Sequence, residues 1–453
     1  MNRKLISMSG WLAFSSAVLM AGTCLAQPAI KPAGPGPAKV EVRQTDGRWQ
    51  LYVNQHPFFI KGAGLEFGSQ EQLAAAGGNS FRTWRTDNGR ESGQEVLDHA
   101  LKNGLFVTMG LDVARERHGF DYSDTNAVAQ QLAELKAKVL KYKDSPALLM
   151  WDIGNELNLD SHNPKVWNAV NQISEMIHRV DPNHPTTTSL AGISKQLVDE
   201  IKQRAPDLDL LCFQSYADIV NLPREIRESG WTGPYVVTEW GATGHWECGK
   251  TGWGAPIEDN SSVKANLYRK RYETAIASDH KQCLGSYVFL WGQKQERTPT
   301  WYGMFLASGE ATEAVDVMQY LWTGRWPEFR SPELKGLWLD GKTAFQNVHL
   351  IAGRSYPAKV LAGAATTGTP LTYSWEILRE SDANTTGGDF ESRPASLPGL
   401  VTPANASEIQ VKAPQNPGAY RLFAYVFNGH DRAAYANLPF YVDARPETAA
   451  ARP

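Results

Sequence analysis

The run Leu148-Leu149-Met150-Trp151-Asp152-Ile153-Gly154-Asn155-Glu156 is an apolar segment that ends on an amide beside a carboxylate. Such a run is typical of a buried strand, and it would carry its last polar groups to the rim of a sheet. A second run, Tyr235-Val236-Val237-Thr238, leads directly into Glu239. Two carboxyl groups at two strand ends are suited to general acid and nucleophilic chemistry. Glu156 and Glu239 are therefore the first candidates for reacting groups.

Around these two runs the chain repeats one pattern, in which a short apolar strand is followed by a polar stretch with helical spacing. Strands are predicted at 58–67, 78–84, 104–113, 148–156, 186–191, 208–216, 235–241 and 285–292. Helices are predicted at 91–102, 125–142, 164–180, 194–205, 261–279 and 312–322. Alternation of strands with helices implies a parallel sheet, and eight such units favour a closed (β/α)8 barrel. An open doubly wound sheet is the alternative.

The two ends of the chain follow different patterns. Residues 1–26 carry Arg3 and Lys4 before an apolar run and end on Cys24-Leu25-Ala26, which predicts a cleavable signal peptide, with a retained membrane anchor as the alternative. A proline-rich linker at 27–38 and an N-terminal β-hairpin lead into a barrel domain at 39–330. Residues 331–445 alternate short apolar runs with turn signals, which predicts a small Ig-like β-sandwich.

Composition narrows the possible partners. The chain has 453 residues and a formal charge of −3, with basic residues scattered among at least as many acidic ones, so no nucleic-acid partner is expected. After the signal, no long apolar segment recurs that would insert stably in a membrane. Cys212, Cys248 and Cys283 are too few for a disulfide framework and are expected to be free thiols. No metal-ligand spacing is present, and neither a metal nor another cofactor is expected.

The remaining predicted strand ends supply candidate substrate-binding residues. Acids, one arginine and aromatic rings suit a carbohydrate, because sugar C–H faces stack on rings while hydroxyl groups bond to charged side chains. The candidates are Glu66, Arg82, Trp84, Asp112, Asn155, Tyr216, Trp240 and Trp291. Loops beyond the strands add Trp246, Trp253 and Trp301. Each also has a structural interpretation, since an arginine can tie down a loop and a tryptophan can fill a core.

The pattern of Asn155-Glu156 at the fourth strand end and Glu239 at the seventh resembles the signature of the retaining glycoside hydrolases built on the (β/α)8 barrel. Residues 151–156 look like the acid/base segment of family 2 and family 5 members, and Asn79-Ser80-Phe81-Arg82 looks like their strand-two arginine motif. This resemblance covers roughly residues 40–322. It implies that Glu156 is the acid/base and Glu239 the nucleophile. It further implies that Asn155 contacts the sugar 2-hydroxyl, Tyr216 donates to the nucleophile and Trp291 is a platform.

Sequence and resemblance together predict a retaining β-glycosidase that acts outside the cytoplasm, in the periplasm or after secretion. The expected partner is a β-linked oligo- or polysaccharide, with a glucan or mannan suggested by the many tryptophans. A transglycosylase on the same scaffold and a non-catalytic carbohydrate-binding protein are the alternatives. The C-terminal sandwich shows no cluster of acids at a strand end, so it is expected to stabilise or position the barrel rather than to take part in chemistry. Oligomeric state is left open.

Overall fold

The computed structural model describes residues 30–366, 368, 370–383 and 388–445. The predicted signal peptide and the first three residues of the predicted linker, 27–29, lie outside these residues. Within them, no helix is both long enough and apolar enough to cross a bilayer.

A small antiparallel sheet closes the N-terminal end of the molecule. It comprises β1 (Val40–Thr45), β2 (Arg48–Val53) and β3 (His56–Phe58), and β1 pairs with β2 across a turn at Asp46-Gly47, which forms the predicted hairpin. Leu51, Val53 and Phe58 are buried against the first residues of the barrel strands, such as Leu149. Alternation along β2 sends Leu51 and Val53 to the same face. This sheet therefore covers the end of the barrel at which the strands begin.

Eight parallel strands then form a closed barrel, as predicted. They are β4 (Ile60–Gly64), β5 (Ser80–Arg82), β6 (Phe106–Leu111), β7 (Leu148–Asn155), β8 (Thr186–Ala191), β9 (Leu211–Gln214), β10 (Tyr235–Gly241) and β11 (Cys283–Phe289). Each strand pairs with the next in sequence, and β11 pairs with β4 to close the ring. β7 is buried along its whole length because the barrel interior covers one face and helices cover the other.

Helices surround the barrel between the strands. They are α1 (Gln70–Ala75), α2 (Gly93–Asn103), α3 (Thr125–Tyr142), α4 (Lys165–Val180), α5 (Lys195–Arg204), α6 (Leu222–Ser229), α7 (Ser261–Arg271) and α8 (Glu313–Thr323). The spacing in α4 places Val166, Val170 and Ile173 on one buried face, as its period predicts. The sequence pattern missed α1 and α6, which have only 6 and 8 residues. Such short helices offer too few periodic positions to be recognised.

The C-terminal part of the chain forms two four-stranded sheets around one hydrophobic core. One sheet has the order β12-β14-β17-β16 and the other β13-β19-β18-β15. Their strands are β12 (Glu333–Leu339), β13 (Val348–Ile351), β14 (Ser355–Gly363), β15 (Thr372–Arg379), β16 (Val401–Thr402), β17 (Glu408–Lys412), β18 (Gly418–Phe427) and β19 (Ala433–Asp443). The pairs are antiparallel except β13 with β19.

A buried polar cluster joins this sandwich to the barrel. Lys264 on α7 donates to Glu258 at 2.6 Å and to the hydroxyl of Tyr435 on β19 at 3.0 Å. Tyr435 donates in turn to the carbonyl of Thr300 in the loop after β11. The side chains of Lys264 and Glu258 are 4% and 0% exposed. Both members of this ion pair belong to the barrel, and the sandwich completes their surroundings through Tyr435, since a buried charge is tolerated only with partners.

Candidate active site

Glu239 lies on β10 near the C-terminal rim of the barrel and is surrounded by donors. Its Oε1 accepts from Arg82 Nη1 at 2.9 Å, from Trp84 Nε1 at 2.8 Å and from Gln214 Nε2 at 3.1 Å. Its Oε2 accepts from the hydroxyl of Tyr216 at 3.0 Å. Burial keeps the pKa of Tyr216 well above its ordinary value, so this hydroxyl stays protonated and can donate. Four donors therefore hold the Glu239 carboxyl group in one orientation.

Arg82 lies beneath Glu239 and is completely buried. Its Nε donates to Asp152 Oδ2 at 2.7 Å, and its Nη2 donates to Asn155 Oδ1 at 2.6 Å. Burial opposes the charge of this guanidinium group, but the carboxylates of Asp152 and Glu239 outweigh it and raise the pKa of Arg82. One arginine thus holds residues from β5, β7 and β10 in a single network.

Asn155 is the last residue of β7, and its side-chain orientation is fixed by this network. Its Oδ1 accepts from both Arg82 and Gln214, the latter at 2.7 Å. Because the oxygen is occupied from inside the barrel, the Nδ2 group is directed away from those donors. Asn155 also lines the cavity described below. It can therefore present an amide donor to a ligand.

Glu156 follows β7 directly and has a left-handed backbone, with φ of 51°. This conformation is unfavourable for a residue with a side chain and is often found at functional sites. Its backbone N–H donates to the Ser189 carbonyl at 2.8 Å, and its carbonyl accepts from Arg117 Nη1 at 3.2 Å. Hydrogen bonds to its backbone N–H and to its backbone carbonyl therefore hold Glu156 in place at the end of β7.

The two glutamates differ in electrostatic environment. Burial, and then the negative charge of Glu239, raise the pKa of Glu156 to about 8. Glu239 instead has four donors around its carboxylate. A carboxyl group with a raised pKa can serve as a proton donor, and a second carboxyl group held by four donors is positioned for a different role.

Both glutamates open into one cavity of about 360 Å³ at the C-terminal rim of the barrel. Five predicted binding residues also line it: Glu66, Trp84, Asp112, Asn155 and Tyr216. Arg82 does not line the cavity but contacts Glu239 from below. The cavity lining thus brings together both glutamates and five of the predicted strand-end residues, and Arg82 lies behind them.

Two predicted residues, Trp240 and Trp291, lie elsewhere, which corrects the expectation that they face a ligand. Both rings are completely buried and neither lines the cavity. Trp240 packs outward on Tyr268 of α7, with 5.8 Å between ring centroids. Since Glu239 points into the barrel, its neighbour in the strand must point to the helices. Trp291 donates to the Ser69 carbonyl at 3.1 Å and packs in the core, so it cannot act as a platform.

Several residues of the site were not predicted. Gln214 ends β9 and donates to both Asn155 and Glu239, although it does not line the cavity. Its place at a strand end was the signal that could have found it. The others line the cavity. Phe289 and Leu290 lie within the predicted strand 285–292 but were not named as candidates. The rest come from loops that sequence periodicity does not describe, and they are Arg85, Arg115, Arg117, Lys294 and Glu296. Trp246, one of the predicted loop candidates, lines the cavity as well.

The sandwich also reaches the cavity. Gly388, Asp389 and Phe390, from the connection between β15 and β16, form part of its lining. The sequence predicts that this domain stabilises or positions the barrel rather than taking part in chemistry, and this stays a prediction.

Among the described residues, no group of three or more histidine, cysteine, aspartate or glutamate side chains is arranged to hold a metal ion. Cys212, Cys248 and Cys283 are free thiols, as predicted. Burial raises the pKa of Cys212 and Cys283, and both are inert core residues.

Known proteins resemble this chain in part. No family model matches it. A stretch of 73 residues is 36% identical to mannan endo-1,4-β-mannosidase F of Aspergillus clavatus and covers 16% of this chain and 17% of that protein. A stretch of the same length is 32% identical to the probable mannan endo-1,4-β-mannosidase F of Neosartorya fischeri and covers 16% of each protein.

Among solved structures, the β-glucuronidase of Bifidobacterium dentium, complexed with coumarin-3-O-glucuronide, superposes with a TM-score of 0.50. Its sequence is 16% identical, and the match covers 63% of this chain and 49% of that one, so this chain spans about half the length of the enzyme it matches. This superposition agrees with the predicted (β/α)8 barrel at the level of the fold.

Proposed function

We propose that this protein is a retaining β-glycosidase in which Glu239 is the nucleophile and Glu156 the acid/base. The observation that carries the proposal is the contrast between the two carboxyl groups. Glu239 accepts four hydrogen bonds, whereas burial and the charge of Glu239 raise the pKa of Glu156 to about 8. At neutral pH one group is therefore prepared to attack and the other to give up a proton.

The proposed reaction has two steps. The Glu239 carboxylate attacks the anomeric carbon, the glycosidic bond breaks, and the leaving oxygen takes the proton of Glu156, which leaves a glycosyl ester on Glu239. Glu156, now ionised, removes a proton from a water molecule that attacks the same carbon and releases Glu239. Each group ends as it began. Retention of configuration requires the two carboxyl groups to be about 5–5.5 Å apart, a prediction that follows from the proposal.

The surrounding residues support these roles. Arg82 and Tyr216 hold the Glu239 carboxylate in position before attack. The negative charge on Glu239 then decreases as the ester forms. Asn155, with its oxygen held by Arg82 and Gln214, is placed to donate to the sugar 2-hydroxyl. Such contacts strengthen as positive charge develops at the anomeric carbon.

For the substrate, we propose a β-linked glucan or mannan. The local similarity to two endo-mannosidases makes β-mannosides the first compounds to test. We also propose that the protein acts in the periplasm or outside the cell, on the strength of the predicted signal peptide.

Hydrolysis of 2,4-dinitrophenyl β-glycosides by single variants tests the proposal. Such leaving groups depart without protonation, so Glu156→Ala should still form the glycosyl ester and then stall for want of a base. Added azide needs no deprotonation and should restore turnover with a β-glycosyl azide as product. In Glu239→Ala, azide should attack the opposite face and give the α-anomer. Glu175→Ala, which changes an exposed glutamate on α4, is the matched control and should behave as the unsubstituted protein.

The alternatives give different results. Products in which the azide anomers are exchanged between the two variants would exchange the roles. A protein that binds β-linked oligosaccharides yet hydrolyses no member of a panel of β-mannosides, β-glucosides and β-glucuronides would be a binding protein. A product profile dominated by longer oligosaccharides would favour transglycosylation, which uses the same two carboxyl groups.

A further inference from the structure

We propose that the sandwich connection carrying Asp389 and Phe390 forms a binding subsite for the leaving-group part of the substrate. The inference rests on the glycosidase function proposed above and adds a second domain to its active site. Asp389 and Phe390 line the same cavity as Glu156 and Glu239. The chemical class of ligand is the sugar residue that follows the cleaved bond.

Hydrogen bonds from barrel residues hold this connection at Ala383, Gly388 and Glu391. Lys294, in the loop after β11, donates to the Gly388 carbonyl at 3.1 Å. The backbone N–H of Arg297 donates to Glu391 at 2.7 Å, and the Arg297 guanidinium donates to the Ala383 carbonyl. Glu391 is 5% exposed, so its carboxylate is held inside the contact. Barrel groups therefore fix the position of the chain that carries Phe390.

Phe390 itself is not used in packing. It is 86% exposed although the residue after it is buried. Trp246, a second exposed ring at 55%, lines the same cavity from the loop after β10 and packs edge-on against Tyr216, with centroids 5.4 Å apart. Exposed aromatic faces beside a polar cleft offer the surface on which a sugar ring stacks. An exposed phenylalanine at this place is therefore explained by a ligand.

The position of Asp389 indicates which side of the cleaved bond the subsite serves. Its carboxylate lies 3.4 Å from Nε2 of His118, in the loop after β6. From the same loop, Arg117 donates to the carbonyl of Glu156. The sandwich residues thus adjoin the loop that contacts the proton donor. Since Glu156 protonates the leaving oxygen, the sugar beyond that oxygen lies on this side.

Substrates that differ only in their leaving group test the inference. A β-glycosyl fluoride has a leaving group of one atom, which cannot reach Phe390, whereas 1,4-β-mannotetraose and 1,4-β-glucotetraose can fill the subsite. Phe390→Ala should lower kcat/KM on the tetraoses about three- to tenfold, the range of one aromatic contact, and leave the fluorides unchanged. Phe390→Trp should restore the tetraose activity. Phe345→Ala is the matched control, because Phe345 is 74% exposed on the same sandwich and does not line the cavity.

Other results would overturn the subsite. If Phe390→Ala behaves as Phe345→Ala on every substrate, or loses fluoride and tetraose activity equally, Phe390 does not contact the leaving group. An unsubstituted protein that cleaves the fluorides and tetraoses separates this failure from failure of the glycosidase itself. Absence of turnover on all of these substrates would overturn the function and the subsite together.

Discussion

Arg82 is the residue whose removal should most disturb the site. Its guanidinium group is completely buried and donates to Asp152 at 2.7 Å, Glu239 at 2.9 Å and Asn155 at 2.6 Å. Arg82→Met keeps much of the side-chain volume but leaves two carboxylates without their cation. Removing one partner of a buried pair typically costs about 3–5 kcal/mol.

Urea unfolding measures this loss. With an m-value of about 3 kcal/mol/M, a loss of this size lowers the unfolding midpoint by roughly 1–2 M. Asp152→Asn removes one of the stranded charges, so the double variant should be more stable than the sum of the two single changes, by about 0.5–3 kcal/mol. An Arg82→Met protein within about 0.5 kcal/mol of the unsubstituted one, or strictly additive losses, would refute the view that Arg82 compensates these carboxylates.

Four further predictions concern the pH dependence of stability, the pH dependence of activity, the nucleophile and the buried ion pair of Lys264. Because the pKa of Glu156 is raised from 4.5 to about 8, the folded state retains a proton that the unfolded chain releases between these two pH values. The free energy of unfolding should therefore fall as pH rises from 4.5 to about 8, and Glu156→Gln should flatten that fall. Parallel curves of unfolding free energy against pH for the two proteins would contradict this. In the active protein, kcat/KM should decline above pH about 8 as the proton donor ionises. Tyr216→Phe keeps the ring but removes the donor 3.0 Å from Glu239, which should lower kcat/KM by roughly tenfold or more, and unchanged kinetics would count against that contact. Lys264→Met should cost about 3–5 kcal/mol by leaving Glu258 buried without its cation. An unchanged urea midpoint would contradict the view that Lys264 compensates Glu258.

The barrel could be predicted from the sequence because its signals are local. Each strand and most helices show their own period, so the eight strands were found although their pairing joins distant segments. Glu156 and Glu239 were found for the same reason, since each directly follows or ends an apolar run. The period of two along β10 also contained the information that Trp240 faces the helices once Glu239 faces the interior.

The rest of the site depends on tertiary contacts that leave no local pattern. Phe390 reaches the cavity because Gly388 and Glu391 bind Lys294 and Arg297, which precede them by roughly a hundred residues in the chain. Arg117 is positioned by the carbonyl of Glu156 rather than by any helix or strand period. Such residues become visible only when the loops of both domains are placed around the barrel rim.

The identity of the residue that forms the glycosyl ester tests the central claim most directly. A 2-deoxy-2-fluoro-β-glycosyl fluoride of the preferred sugar should form a slowly hydrolysed ester, because the fluorine at C2 destabilises both positively charged transition states. Peptide mass spectrometry of the digested adduct would then locate the sugar. The proposal predicts that the sugar is attached to Glu239; attachment to Glu156, or to any other residue, would contradict it.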